Sequence, residues 1–186
     1  MRVDAYIARG TASGTVHLDG HLRDLLETGS DLAMSEVTWR SIEDGTPAAI
    51  GDVTVAVDDL LVVVSDEDPF GAIHAAWHDI GLDVGPYHLA GQLPTLPGFD
   101  PGRALTRPSG EFVLLKDVSL GPLDGAGDTL ELPHALVNRY GVDRVSARMM
   151  LGFFFPGAVI ETTDLAETAD AASPADDPEA SETAPA

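Results

Sequence analysis

The order of short motifs in residues 6–45 recurs in residues 83–125, and this internal similarity restricts the fold more than any other feature of the chain. Each copy begins with a glycine and an apolar residue, continues with an apolar–polar–acid–valine segment, and ends with Asp-Gly. The distance between matched positions drifts only between 75 and 81 residues, as small loop insertions would cause. Such a period predicts an internal duplication into two units of about 70 to 80 residues. The matched positions include Gly14 and Gly91, Val16 and Leu93, Arg23 and Arg103, Glu36 and Asp117, Val37 and Val118, and Gly45 and Gly125.

Both halves have the residue pattern of short strands. Residues 3–8 and 53–57 alternate between the two faces of a strand, and residues 60–64 form a continuous apolar run typical of a strand buried on both sides. Asp-Gly pairs at 44–45 and 124–125 are turn signals between neighbouring strands. The predicted fold class is therefore mainly β, with two tandem small β-barrel-like units packed together.

Helix is expected only in three short stretches: residues 21–27, 70–78 and 133–139. Residues 149–155 have strand character and are predicted to close the second unit. The predicted organisation is a first β unit at 1–68, a linker with a short helix at 69–82, a second β unit at 83–160, and a disordered acidic tail at 161–186.

The prediction of a tail follows from composition. Residues 161–186 carry eight acids, no Lys or Arg, and a single large apolar side chain, Leu165. Such a segment buries too little surface to offset the entropy of ordering its backbone. The remaining 160 residues still carry 23 acids against 10 basic residues, a formal charge of −13. Because phosphate is repelled by such a surface, nucleic acid and anionic membrane are not expected as partners, and another protein is. A basic partner that docks on the tail is one form of that expectation.

Cysteine is absent from the chain, which excludes disulfides, thiolate metal sites and cysteine nucleophiles. The longest apolar run, residues 149–160, is too short for a membrane span and contains Gly152, Pro156 and Gly157. The first residues lack the apolar stretch of a signal peptide, so we expect a cytoplasmic protein. Oligomeric state is left open by the sequence.

The order of features in each half resembles the Sm-like small β-barrel family. The second half follows that family's first motif with Gly91, Leu93, Asp100, Leu114, Leu115, Asp117 and Val118, and residues 136–145 resemble its second motif. The first half follows the first motif more loosely, with Gly14, Val16, Asp24, Leu32, Met34, Glu36 and Val37. The resemblance implies a tandem barrel shape. It does not carry over RNA binding, because the RNA-contacting Asn of the family is missing from both halves.

Two histidine clusters are the only candidates for chemistry, since no phosphate-binding, nucleophile-elbow or zinc-protease motif is present. His74 and His78 have the i, i+4 spacing that puts both imidazoles on one helix face, with Asp79 adjacent, and these three residues form the predicted metal site. The alternative is that they are solvated surface residues. His17, Asp19 and His21 alternate as they would on one face of a strand.

The sequence therefore favours a non-catalytic binding or scaffold protein without a cofactor. A metal-dependent, hydrolase-like enzyme that uses His74, His78 and Asp79 is the alternative, and an Sm-like RNA-binding protein is the less favoured third hypothesis. The choice is made by elimination, because a fold alone says little about function.

Overall fold

The computed structural model describes residues 1–67, 75–95, 110–149, 151 and 154–162. Over these residues the chain is mainly β, as predicted, and its strands form one sheet of 11. One short helix, α1 (Leu22–Glu27), and one 3-10 turn (Val57–Asp59) complete the secondary structure of this part of the chain. The strands are β1 (Arg2–Ile7), β2 (Gly10–Thr15), β3 (Leu32–Ser41), β4 (Pro47–Val55), β5 (Leu60–Ser65), β6 (Ala76–Val84), β7 (Tyr87–Thr95), β8 (Phe112–Pro122), β9 (Leu130–Asn138), β10 (Val142–Ala147) and β11 (Val159–Thr162).

The sheet contains the same strand order twice. The first strand set, β1 to β5, runs β5-β1-β2-β3-β4, and the second strand set, β6 to β10, runs β10-β6-β7-β8-β9. Strand β9 pairs with β5 and joins the two sets into one sheet. Strand β11 pairs in parallel with β10 at one end of the sheet, and β4 lies at the other end.

The seam between the sets is formed by strands that are buried on both faces. Val62 pairs with Val137, and Val63 pairs with Leu136. Because successive side chains of a strand point to opposite faces, Val62 and Val137 pack in the core of the second set, whereas Val63 and Leu136 pack in the core of the first. The continuous apolar run at 60–64 is thus the doubly buried strand that the sequence predicted.

Local backbone geometry also recurs at matched positions. Glu36 has a φ of 53° and Asp117 a φ of 50°, a left-handed conformation that is uncommon for residues other than glycine. Each lies beside a register shift, between β2 and β3 in the first set and between β7 and β8 in the second. Gly14 and Gly91 lie on the neighbouring strands at these bulges, where a Cβ would come within 2.8 Å of the Ser35 carbonyl oxygen and 3.1 Å of the Lys116 carbonyl oxygen, respectively.

Several local predictions need correction. The helix predicted at 21–27 is present as α1, but residues 133–138 belong to β9, where residues 134–138 are buried on both faces of a strand. Residues 76–78, predicted as helix, begin β6, so residues 76–82 are strand and not linker; residues 70–74 lie outside the described residues. The described residues of 149–155 are not strand but bends and a turn that leads into Pro156. Glu161 and Thr162, assigned to the tail, form the end of β11, and residues 163–186 lie outside the described residues.

Candidate functional site

Two of the three residues of the predicted metal site, His78 and Asp79, lie in strand β6. His78 and Asp79 are consecutive residues of β6, so their side chains point to opposite faces of the sheet. The Nε2 atom of His78 lies 2.8 Å from the Oγ1 atom of Thr95, and Asp79 accepts a hydrogen bond from the Gln92 amide at 3.2 Å. His74 lies outside the described residues, so the three-residue site stays a prediction. Among the residues described, no group of three or more His, Asp and Glu side chains is placed to hold a metal ion.

The second histidine cluster, His17, Asp19 and His21, is not arranged as predicted. Strand β2 ends at Thr15, so His17, Asp19 and His21 do not share a strand face. The Nδ1 atom of His21 contacts the Oε1 atom of Glu67, whose other oxygen accepts the backbone N–H of Leu22 at 3.2 Å. The hydrogen bond to Glu67 raises the pKa of His21, and the same bond lowers the pKa of the Glu67 carboxyl. The pair thus ties the start of α1 to the end of the first strand set.

A broad concave surface lies on the outer face of the second strand set. Its floor crosses four neighbouring strands through Ser146 of β10, Gly81 of β6, Ala90 of β7 and Ser119 of β8, which are direct cross-strand partners. All four side chains are small, so this row of cross-strand partners forms a trough between neighbouring rows whose side chains are larger. Its volume is about 740 Å³, and the floor is roughly 14 Å long from the spacing of strands in a sheet. We call this surface the acidic cleft.

Acidic side chains surround this floor. Asp79, Asp117 and Glu131 line the cleft, and His88 is the only basic side chain that lines it. All three acids are exposed. The nearest partner of Asp117 is Lys116, whose Nζ lies 3.2 Å from a carboxylate oxygen. The cleft therefore offers an open floor beneath an excess of negative charge.

Strand alternation explains how the sequence builds the cleft. Ile80, Leu82 and Leu89 point inward and are almost fully buried in the core of the second set. Gly81, between Ile80 and Leu82, and Ala90, next to Leu89, consequently face outward. A Cβ at Gly81 would only reach ordinary contact with Ser146, at 3.5 Å, so the close packing of neighbouring strands does not fill the trough.

A chain of charged contacts borders the cleft. The Nδ1 atom of His88 lies 2.7 Å from a carboxylate oxygen of Asp83, and the other oxygen of Asp83 lies 3.4 Å from Nε of Arg144. Arg144 in turn donates to Glu161 at 2.7 Å. These contacts run from β7 through β6 and β10 to β11, so they connect His88 at the edge of the cleft to the last strand of the sheet.

A second, smaller crevice lies where the two strand sets meet, with a volume of about 190 Å³. The rings of Tyr6 and Tyr87 meet edge to face there, with centroids 5.4 Å apart. The Tyr87 hydroxyl lies 3.0 Å from the carbonyl oxygens of both Ile7 and Gly10, so it ties the second set to the β1–β2 turn of the first. Burial, followed by the charge of Asp4, raises the pKa of Tyr6 to about 12. The two tyrosines are thus neutral packing groups.

The acidic cleft was missed in the sequence because its parts are far apart along the chain. Each strand contributes one small outward residue, and a lone Gly, Ala or Ser in a strand carries no functional signal. A row of small residues could be read only with the strand order and register in hand.

Comparison with known protein families, with curated proteins and with solved structures gives no match for this chain. Within the described residues, no helix has the length and apolar character needed to cross a membrane. The function must therefore be argued from the geometry of the sheet.

Proposed function

We propose that this chain is a non-catalytic binding protein that holds a cationic, extended segment of another protein in the acidic cleft. The observation that carries the proposal is the row of small residues across four strands with carboxylates around it. Four extended residues span roughly 13 Å, about the length of the floor. Lysine or arginine side chains on such a segment would meet Asp79, Asp117 and Glu131.

Charge gives the partner its chemistry. The chain has a formal charge of −21, and the cleft is lined by three acids and one histidine. Complementary charge speeds encounter and selects among partners, and its contribution weakens with salt. The same charge opposes the Sm-like RNA-binding hypothesis, since phosphate would meet carboxylates here.

We further propose that the two strand sets are tandem small β units that arose by internal duplication. The support is the repeated strand order, the left-handed Glu36 and Asp117 at matched bulges, and matched Asp-Gly turns. In those turns Asp44 accepts the N–H of Thr46 at 3.0 Å, and Asp124 accepts the N–H of Ala126 at 2.9 Å. The resemblance of each unit to the Sm-like barrel remains part of this proposal for the fold.

The test uses isotope-labelled full-length protein titrated with an eight-residue peptide of alternating Lys and Ala, at low and at physiological salt. We expect amide shifts at Gly81, Ala90 and Ser119, and an affinity that falls as salt is added. The Ser119→Trp variant fills the floor but keeps every acid, and it should weaken binding about tenfold, which corresponds to about 1.4 kcal/mol.

Two controls make this result specific. Asp58→Asn with Asp59→Asn removes two exposed acids from the 3-10 turn, and it should change the affinity by less than about twofold. A peptide of alternating Glu and Ala should not bind. Shifts confined to residues 163–186, or equal losses in Ser119→Trp and the Asp58/Asp59 variant, would show attraction to the overall charge and contradict a role for the cleft.

A further inference from the structure

The two ends of the 11-stranded sheet differ in how they are protected. Among the described strands, β4 is the end that no other strand pairs with, and its residues 47–52 are all exposed. Near the other end, within the part of the chain that the structure describes, the outer side of β10 is paired with the four residues of β11, Val159–Thr162. An uncovered edge strand presents unpaired N–H and C=O groups that are a template for another strand.

The β5–β9 seam inside the chain shows which kind of strand would pair with the β10 and β4 ends. In the repeated strand order, β5 occupies the place of β10, and β9 occupies the place of β4. The β5–β9 seam is therefore the contact between the fifth strand of one set and the fourth strand of the other. The same two kinds of edge, β10 and β4, are left at the ends of the sheet.

Matching the ladders gives the register of such a contact. Val62 pairs with Tyr6, which pairs with Thr11, and Arg144 pairs with Asp83, which pairs with His88. Because Thr11 and His88 are separated by the same interval as Gly14 and Gly91, Arg144 matches Val62 and Val145 matches Val63. By the same reasoning through β3 and β8, Val55 matches Val137 and Thr54 matches Leu136.

Strand β11 has the features of a removable cover. It is short and parallel, whereas every other pairing in the described sheet is antiparallel. Val159 is 60% exposed, and the side chains of Glu161 and Thr162 are exposed as well. The ion pair that the described residues give to β11, from Arg144 to Glu161 at 2.7 Å, has both side chains about half exposed, and such pairs hold weakly in water.

We propose that β11 is a detachable cover of the β10 edge, and that its release lets β4 of a second copy of this chain pair with β10 in the register of the β5–β9 seam. In that register Val145 of one copy would lie opposite Thr54 of the other, and Ala147 opposite Asp52, as Val63 lies opposite Leu136 in the seam. One copy of the pair would keep a free β4 and the other a free β10 edge, so the contact is head-to-tail and can continue into a closed ring or a filament. The inference does not depend on the acidic cleft.

The experiment is sedimentation equilibrium of the full chain over a concentration series, for the wild type, Glu161→Lys and Glu111→Lys. Glu161→Lys puts two cations together at β11 and should release it, whereas Glu111→Lys makes the same charge change at an exposed site before β8. We expect wild type and Glu111→Lys at the monomer mass of 19.5 kDa, and at least a doubling of mass for Glu161→Lys. Hydrogen exchange in residues 47–55 of Glu161→Lys should slow at least tenfold as the mass rises.

A charge-swapped variant guards against unfolding as the cause. Arg144→Glu combined with Glu161→Lys restores an ion pair between β10 and β11 and should return the protein to a monomer. The proposal is overturned if Glu161→Lys stays monomeric, if it assembles without protection of residues 47–55, or if the charge-swapped variant assembles equally. Assembly of the wild type with β4 protected would also overturn it, because β11 would then cover nothing.

Discussion

At the scale of single residues, the molecule uses the same backbone device twice. Glu36 and Asp117 adopt left-handed conformations at bulges, and Gly14 and Gly91 lie where the neighbouring strand approaches too closely for a side chain. Sequence matching aligned Glu36 with Asp117 and Gly14 with Gly91, but it gave no sign that the two acids adopt a backbone conformation that favours glycine. That fact depends on the bulge, which only strand pairing reveals.

Substitution of the bulge glycines tests this device. In Gly14→Ala the new Cβ would lie 2.8 Å from the Ser35 carbonyl oxygen and 2.9 Å from a methyl of Val37, so the strands must move apart. We expect a loss of roughly 1–3 kcal/mol in the free energy of unfolding, measured by urea titration. Gly91→Ala should cost less, because its nearest contact is 3.1 Å. Gly81→Ala, with its nearest atom at 3.5 Å, is the control; a larger loss there than in Gly14→Ala would contradict the argument.

At the scale of elements, α1 depends on a contact from outside its own sequence. The helix has six residues and no side-chain cap from His21, its N-cap residue. Glu67 fills that role by accepting the N–H of Leu22 at 3.2 Å while it contacts His21. The helix was predictable from local pattern, but His21, which belongs to a histidine cluster that the sequence offered as a candidate for chemistry, instead positions this carboxylate.

This contact predicts a pH dependence. Because the pKa of His21 is raised in the folded protein, its contribution to folding stability is full below the ordinary histidine pKa of 6.5. That contribution is lost as pH rises through the pKa of His21 in the folded protein. Because the pKa of Glu67 is lowered in the folded protein, its contribution to folding stability is present above the ordinary glutamate pKa of 4.5. That contribution is lost as pH falls through the pKa of Glu67 in the folded protein. Wild type should therefore exceed Glu67→Gln in Tm most at about pH 5.5, and less at about pH 8. An equal difference in Tm at both pH values would contradict the pairing.

At the scale of the whole molecule, the two strand sets share their cores across the seam. Leu136 of the second set is packed in the core of the first, and Tyr6 of the first set is packed in the core of the second. Asn138 also donates its side-chain amide to the Leu60 carbonyl oxygen at 3.0 Å across the seam. We therefore expect the sets to unfold together.

A core substitution at the seam checks this expectation. Leu136→Ala removes a buried side chain from the core of the first set, although the residue belongs to the second set. It should lower the free energy of unfolding by roughly 2–5 kcal/mol. Hydrogen exchange should quicken in both β2 and β7, and thermal unfolding should remain a single transition. Faster exchange in one set alone, or two resolved transitions, would show that the sets are independent. Leu123→Ala, at a side chain 48% exposed, should change stability by less than about 0.5 kcal/mol.

The sequence by itself determined the features that depend on neighbours along the chain. Alternation and β-branched runs predicted a mainly β protein, the apolar run at 60–64 predicted a doubly buried strand, and α1 was predicted to within one residue. These predictions succeeded because side-chain periodicity is set by local backbone geometry. Residues 133–138 were misread as helix because a short apolar run has no period that separates a buried strand from a helix.

Only the tertiary structure decided which distant residues meet. The floor of the acidic cleft joins residues from four strands, the seam joins β5 to β9, and β11 reaches β10 in parallel. These contacts depend on strand order and register, and a shift of one residue would turn every side chain of a strand to the other face. His78 and Asp79 show the consequence. They are adjacent in sequence, but they lie on opposite faces of one sheet because their segment forms a strand of the sheet and not a helix.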